Sequence, residues 1–211
     1  MFNHLVKMKE KRKNTNTEEK ILAAAKKVFI AKGMAGARMQ DIADEMGMNK
    51  ALLHYYFKTK EQLFEVIFKE TIGKFIPKLK ALLIADISLE DKIKFFCNEY
   101  IQMAQDNPYL PLFILNELNK QPAQFIDKIF SGELPDLNKF TFQLEQEIKA
   151  KRIKPISPVQ LLMNMMSMCI FPFIAKPMFN AVLGLDELQF RLTMEQRKKD
   201  IPKFILDSIK K

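Results

Sequence analysis

The stretch MQDIADEMGMNKALLHYYFK, residues 39–58, carries two short amphipathic segments hinged on Gly47. Ile42, Met46, Met48, Leu53 and Tyr56 recur at the spacing that packs two short helices on a third. Ala43 is small where two crossing helices approach closely, and Gly47 supplies the positive φ that a tight turn requires. Asn49 has the side chain of a helix N-cap. The stretch therefore predicts a helix over 39–46, a turn, and a helix over 49–57. This is the pattern of a helix-turn-helix, whose second helix enters the major groove of DNA by its N-terminal residues.

Working outward, Thr17 is suited to cap a preceding helix, with Glu18 and Glu19 at its positive end. Ile21, Leu22, Ala25, Val28 and Phe29 form one apolar face of that helix, and Gly33 ends it. Thr59 caps a fourth helix from Lys60, with Leu63, Phe64, Ile67 and Phe68 facing inward and Pro77 interrupting or bending it. Residues 17–60 thus read as a three-helix head. Residues 1–16 form a basic, flexible arm in which Lys7, Lys9, Lys11, Arg12 and Lys13 lie close together. It is either simply solvated or laid on phosphates, and the two readings are compatible.

Residues 61–211 continue in helices. Ser88 opens one to about Asn107, with Ile93, Phe96, Cys97, Tyr100 and Met103 on one side. Pro108 and Pro111 restart the chain for a helix through Asn119, and further helices run from Pro122 to Gly132 and from Pro135 to about Arg152. Ser157-Pro158 is a cap followed by proline at the first helical position. It starts an unusually apolar helix that Gly184 ends, and a last helix runs from near Thr193 to Ile209 with a kink at Pro202. Only 6 glycines and few alternating valine–threonine runs agree with an all-α class.

Charge separates the two parts. Residues 1–60 hold 13 Lys and Arg against 6 Asp and Glu, whereas residues 61–211 hold 21 against 19. A basic head on a nearly neutral body points to a polyanionic partner for the head. Cys97 and Cys169 are far apart in sequence and lack a CxxC neighbour. With no clear signal peptide after Met1, they read as buried thiols of a cytoplasmic protein. His4 and His54 are the only histidines, and neither has a metal-ligand partner at suitable spacing. No phosphate-binding glycine loop, nucleophile elbow or paired carboxylates appear. Neither catalysis nor a cofactor or metal is expected.

Residues 17–68 resemble the N-terminal domain of the TetR family of bacterial transcriptional regulators. The likeness rests on ILAAAKKVFIAKG in the first helix, DIADEMGM in the second helix and turn, and YYFKTKEQLF leading into the fourth. It implies an all-α protein with a three-helix helix-turn-helix head joined to a larger helical ligand-binding and dimerisation domain over residues 61–211. Asn49–Phe57 becomes the recognition helix, with Lys50 and Ala51 reaching base edges or nearby phosphates. His54 stands where the family usually has tyrosine, and Tyr55 takes over a phosphate contact. Gln40 touches a base or the backbone, and Lys60 meets a phosphate at the start of the fourth helix. Arg38 and Met39 replace small hydroxyl residues, Arg38 offering a charge-assisted bond instead.

The resemblance further implies a homodimer on a palindromic operator in double-stranded DNA and a repressor released by a small hydrophobic effector. Met163, Met165, Met166, Met168, Phe171, Phe173, Met178 and Phe179 crowd the apolar helix. They either pack the core and the dimer or line an effector cavity. In the second reading Met165, Met168 and Phe171 face Phe96, Tyr100, Met103 and Phe113. Asn164, Ser167, Pro172 and Lys176 break the apolar run, so no membrane span is expected. The competing reading is a helical protein-interaction module without specific DNA binding.

Overall fold

Eleven helices follow one another among the described residues, and no strand is present there beyond an isolated bridge between Ile153 and Lys210. The computed structural model describes residues 2–211, with side chains from Asn16 onward. The residues expected as a flexible basic arm, 1–16, instead run from Phe2 as the start of a long first helix, and their side chains before Asn16 lie outside those described. The chain divides into two compact units, Met1–Thr71 and Ile72–Lys211.

In the first unit, α1 (Phe2–Gly36) contains Thr17 as an interior residue, not as its cap, because no glycine or proline ahead of it stops the helix. The regular helix breaks at Gly33, whose φ of 66° and ψ of 170° leave the helical region. α2 (Met39–Met46) and α3 (Lys50–Tyr56) follow, and α4 (Lys60–Ile84) runs on into the second unit. Ile21, Ala25, Phe29, Ile42, Ala43, Leu53 and Leu63 are fully buried, and the rings of Phe29 and Phe64 meet edge to face at 5.3 Å. Interior packing of this kind contributes most of a short helix's stability, since helices of seven or eight residues do not hold themselves.

The second unit is built on α5 (Leu89–Asp106), packed by both α9 (Pro158–Ile174) and α11 (Glu187–Ile209). Ile93, Phe96, Cys97, Ile101 and Ala104 of α5 meet Leu161, Met165 and Cys169 of α9 and Phe190, Met194, Ile201 and Ile205 of α11 in one core. Between them run α6 (Leu110–Lys120), α7 (Pro122–Phe130) and α8 (Asn138–Lys149), and α10 (Lys176–Leu183) follows α9. Both cysteines are buried and free, and their thiols share a hydrogen bond that, with burial, pushes Cys169 well above the usual thiol range.

Boundaries in the second unit also differ from the sequence expectation: α8 runs from Asn138 to Lys149 and not from Pro135 to about Arg152. The apolar helix does not run unbroken to Gly184 but bends by 70° between α9 and α10. Pro177 is the reason: it sits in the first turn of α10, where its missing N–H costs nothing, but its ring would clash with an uninterrupted helix. The last helix starts not near Thr193 but at Glu187, because Asp186 and Gln189 form a reciprocal capping box at 2.7 and 2.9 Å. Among the described residues no single helix is long and apolar enough to cross a membrane; only the bent pair α9 and α10 has that length and composition together.

Candidate nucleic-acid interface

The turn between α2 and α3 closes by strictly local bonds. Gly47, at φ 65° and ψ 30°, donates its N–H to the Asp44 carbonyl at 3.1 Å, and Met48 donates to Ala43 at 3.0 Å. Asn49 then opens α3: its Oδ1 accepts the Leu52 N–H at 2.7 Å. Leu53, with no exposed surface, pins α3 to the interior. Everything on the opposite side of the helix faces solvent, namely Lys50, Ala51, Leu52 and Tyr55. Tyr55 is 71% exposed and braced edge to face by Tyr56 at 5.4 Å.

The remaining expected contact residues fall into two sets. Arg38 and Gln40, at the start of α2, are exposed. The Arg38 backbone N–H donates to Asp41 Oδ2 at 2.9 Å, which caps α2 and leaves the guanidinium outside the cap. Asp41 also holds Lys32 of α1 at 2.8 Å, and that bond foremost keeps its carboxyl below the usual carboxylate range. Several polar groups are already engaged within the head. Gln40 Nε2 donates to Asp44 Oδ1 at 2.7 Å, and His54 Nδ1 donates to the Lys58 carbonyl at 3.0 Å, which fixes that nitrogen as the protonated one.

Lys60 is redirected altogether. Its ammonium donates to the carbonyls of Met34, Ala35 and Ala37 at 3.0, 3.2 and 2.9 Å. These oxygens lie just beyond the break at Gly33, where helix carbonyls lose their partners. All three donors are spent, so the expected phosphate contact gives way to a structural one that ties the start of α4 to the end of α1. Lys50, by contrast, has no hydrogen-bond or ion-pair partner among the described residues. Leu52, 46% exposed in the first turn of α3, was missed by the sequence reading because a leucine there looks like core. Only the position of its neighbour Leu53 in the packing reveals that it points outward.

Of the residues expected to line an effector cavity in the second unit, Phe96, Tyr100, Met165 and Met168 share the core. Tyr100 lies edge to face with Phe75 at 5.3 Å and tilted against Phe96 at 5.4 Å, and burial pushes its hydroxyl up to about 12. Met103 is buried outside that cluster. Phe113 instead pairs with Phe125 of α7 at 6.0 Å, and Phe171 is 51% exposed, against Phe179 of α10. Helical spacing places residues on a face without saying which neighbour that face meets, so these three are not brought together with the other four. The void beside Phe75, Leu79 and Phe96 measures about 10 Å³, room for a single water. A larger groove of about 950 Å³ lies along α5 and α11, with Ile87, Phe95 and Leu206 in its wall and Lys94, Lys199 and Lys203 beside them.

Comparison with known proteins agrees with this arrangement. The model of the family described as bacterial regulatory proteins, tetR family, matches residues 21–67, from the buried face of α1 to that of α4. The transcriptional regulator RutR of Escherichia coli K12 is 25% identical over 194 residues, covering 90% of this chain and 89% of its own. Among solved structures, a TetR/AcrR-family regulator from Thermobifida fusca superposes with a TM-score of 0.59 at 16% identity, covering 91% of this chain and 97% of that one. FadR from Bacillus subtilis, solved in complex with stearoyl-CoA, gives 0.57 at 18% identity, covering 90% and 98%. The helix-turn-helix head is thus matched in sequence by the tetR family of bacterial regulatory proteins, and the helical body is similar in fold to a solved TetR/AcrR-family regulator.

Proposed function

We propose that the protein is a ligand-responsive, sequence-specific DNA-binding regulator, acting as a repressor that a small hydrophobic effector releases. The observation that carries this reading is α3 itself: capped by Asn49, anchored by Leu53, and offering Lys50, Ala51, Leu52 and Tyr55 to solvent on the basic part of the chain. A helix so presented fits the major groove by its first turn, with Arg38 and Lys50 supplying charge for phosphates or base edges.

One head makes too few contacts to define a site, so the reading requires two. Val159, Met163 and Met166 on α9, and Leu188 and Leu192 on α11, are all more than 45% exposed. An apolar face of this kind on a soluble regulator supports a symmetric homodimer, whose two heads meet half-sites roughly 34–36 Å apart. The effector-binding and dimerisation domain is residues 61–211, most of which form the second compact unit, Ile72–Lys211. The stearoyl-CoA held by the B. subtilis FadR supports an apolar ligand for this body too. The core around Phe96, Tyr100, Met165 and Met168 has to open to admit it, and methionine is the side chain most easily rearranged for that purpose. Release follows when the effector prefers a body conformation in which the heads no longer match the operator.

The test is selection of duplexes from a random library by the full-length protein, then a salt titration on the enriched sequence. The expected result is a palindrome bound with an affinity that falls linearly in log salt. Failure to enrich any sequence, with binding equal for all duplexes, overturns the reading.

A further inference from the structure

The exposed surface of α3 is chemically lopsided. Of the polar groups near it, Asn49 Oδ1 is occupied by the Leu52 N–H, Gln40 Nε2 by Asp44, His54 Nδ1 by the Lys58 carbonyl, and the Lys60 ammonium by three carbonyls. What α3 offers outward is one lysine, one tyrosine, and two purely apolar side chains, Ala51 and Leu52. Ala51 and Tyr55 are four residues apart and Leu52 and Tyr55 three, so the three side chains form one contiguous patch. Leaving a leucine half exposed beside this patch gains nothing for the fold, since Leu53 already fills the interior position.

In the major groove one base feature answers an apolar side chain: the C5-methyl of thymine. We infer that Leu52, flanked by Ala51, is a specificity-determining residue that selects thymine in each operator half-site by contact with its methyl group. Lys50 beside it supplies the attraction to the phosphates or to guanine that brings the patch into the groove. The inference rests on the DNA-binding reading above and names how part of that site reads sequence. It assigns a discriminating role to a residue without a hydrogen-bonding group.

Replacing thymine by deoxyuridine removes the methyl and leaves every base-pairing and groove hydrogen-bonding atom in place, which makes it the direct probe. The enriched operator is synthesised with thymine, and again with deoxyuridine at the thymines of both half-sites. Wild-type protein is expected to lose about fourfold in affinity per contacted methyl, the worth of one buried methyl group, and so about fifteenfold for a symmetric pair. Leu52→Ala is expected to bind the thymine operator more weakly by a similar factor and to be indifferent to the deoxyuridine change. Leu52→Ile retains the sensitivity. Because Leu52 is exposed, unchanged melting temperatures accompany both variants.

Equal wild-type affinity for the two operators overturns the inference, as does a Leu52→Ala protein that keeps full sensitivity, or an enriched half-site with no thymine. In these cases salt-dependent operator binding persists and the DNA-binding reading stands. If instead no sequence is enriched by the wild type, the broader reading falls and this one with it.

Discussion

On α3 the outward side chains are a lysine, a tyrosine and a small apolar pair, set among basic residues; on α9 they are Val159, Met163, Met166 and Phe171 among uncharged polar residues, and at the start of α11 Leu188 and Leu192 lie beside Glu187 and Arg191. Both surfaces are helical and both are exposed, yet they ask for different partners. A mostly charged rim around a small apolar patch suits a polyanion with a few methyl groups. A broad apolar face suits another protein surface, because its exposure to water costs about 25 cal/mol for each Å² left uncovered. The contrast teaches that the chemistry of what is exposed, and not exposure itself, chooses the partner.

The most forceful way to break the comparison is to put a charge on the apolar face. Met163→Glu is expected to shift a dimer toward monomer by a hundredfold or more, since an unpaired charge in a buried interface costs about 3–5 kcal/mol. Sedimentation velocity reads the change, and operator affinity should collapse with it while the head stays folded. A variant that sediments like the wild type would remove α9 from the interface.

Lys60 sharpens the other side. If its ammonium holds the carbonyls of Met34, Ala35 and Ala37, Lys60→Met should lower stability by about 1.5–3 kcal/mol, as for hydrogen bonds to a charged group. Chemical denaturation measures it directly. A variant of unchanged stability but weakened DNA binding would restore Lys60 to the phosphate contact that its sequence position suggested.

Lys50→Ala is expected to leave stability alone and to weaken operator binding by about 1–3 kcal/mol if it reads a base, or to reduce the salt slope by about one if it meets only a phosphate. Titrations at several salt concentrations separate the two. The smallest effect belongs to Asp41. Its carboxyl is held below the usual range by Lys32 and the Arg38 N–H, so the folded state binds that proton less readily than the unfolded chain. The stability it contributes is complete above the unfolded carboxylate range and disappears as pH falls through the lowered value. Asp41→Asn should therefore melt slightly lower at neutral pH and show a flatter fall in acid, read as melting temperature against pH.

The helix-turn-helix was legible in residues 39–58 because its devices are local. The bounds of α2, the stop at Gly47, the cap at Asn49 and the cap at Thr59 each depend on groups within about four residues, and a sequence displays those directly. Thr17 was misread for the complementary reason: a capping residue stops nothing unless the chain before it also leaves the helix. The capping box at Asp186 and Gln189 was equally local and open to the same reading, but the apolar run before Gly184 drew the helix start too far along.

By itself the order of residues determined the all-helical class, the basic head, its two short helices and the family that the head resembles, since periodicity, capping and charge are properties of neighbours along the chain. Only the folded chain decided where the Lys60 ammonium goes, across more than twenty residues to the end of α1, and that Leu52 rather than Leu53 points to solvent. It also separated Phe113 and Phe171 from the core that Phe96 and Met165 share. Those outcomes depend on which faces meet in space, and packing sets them through contacts between residues that the linear pattern leaves unconnected.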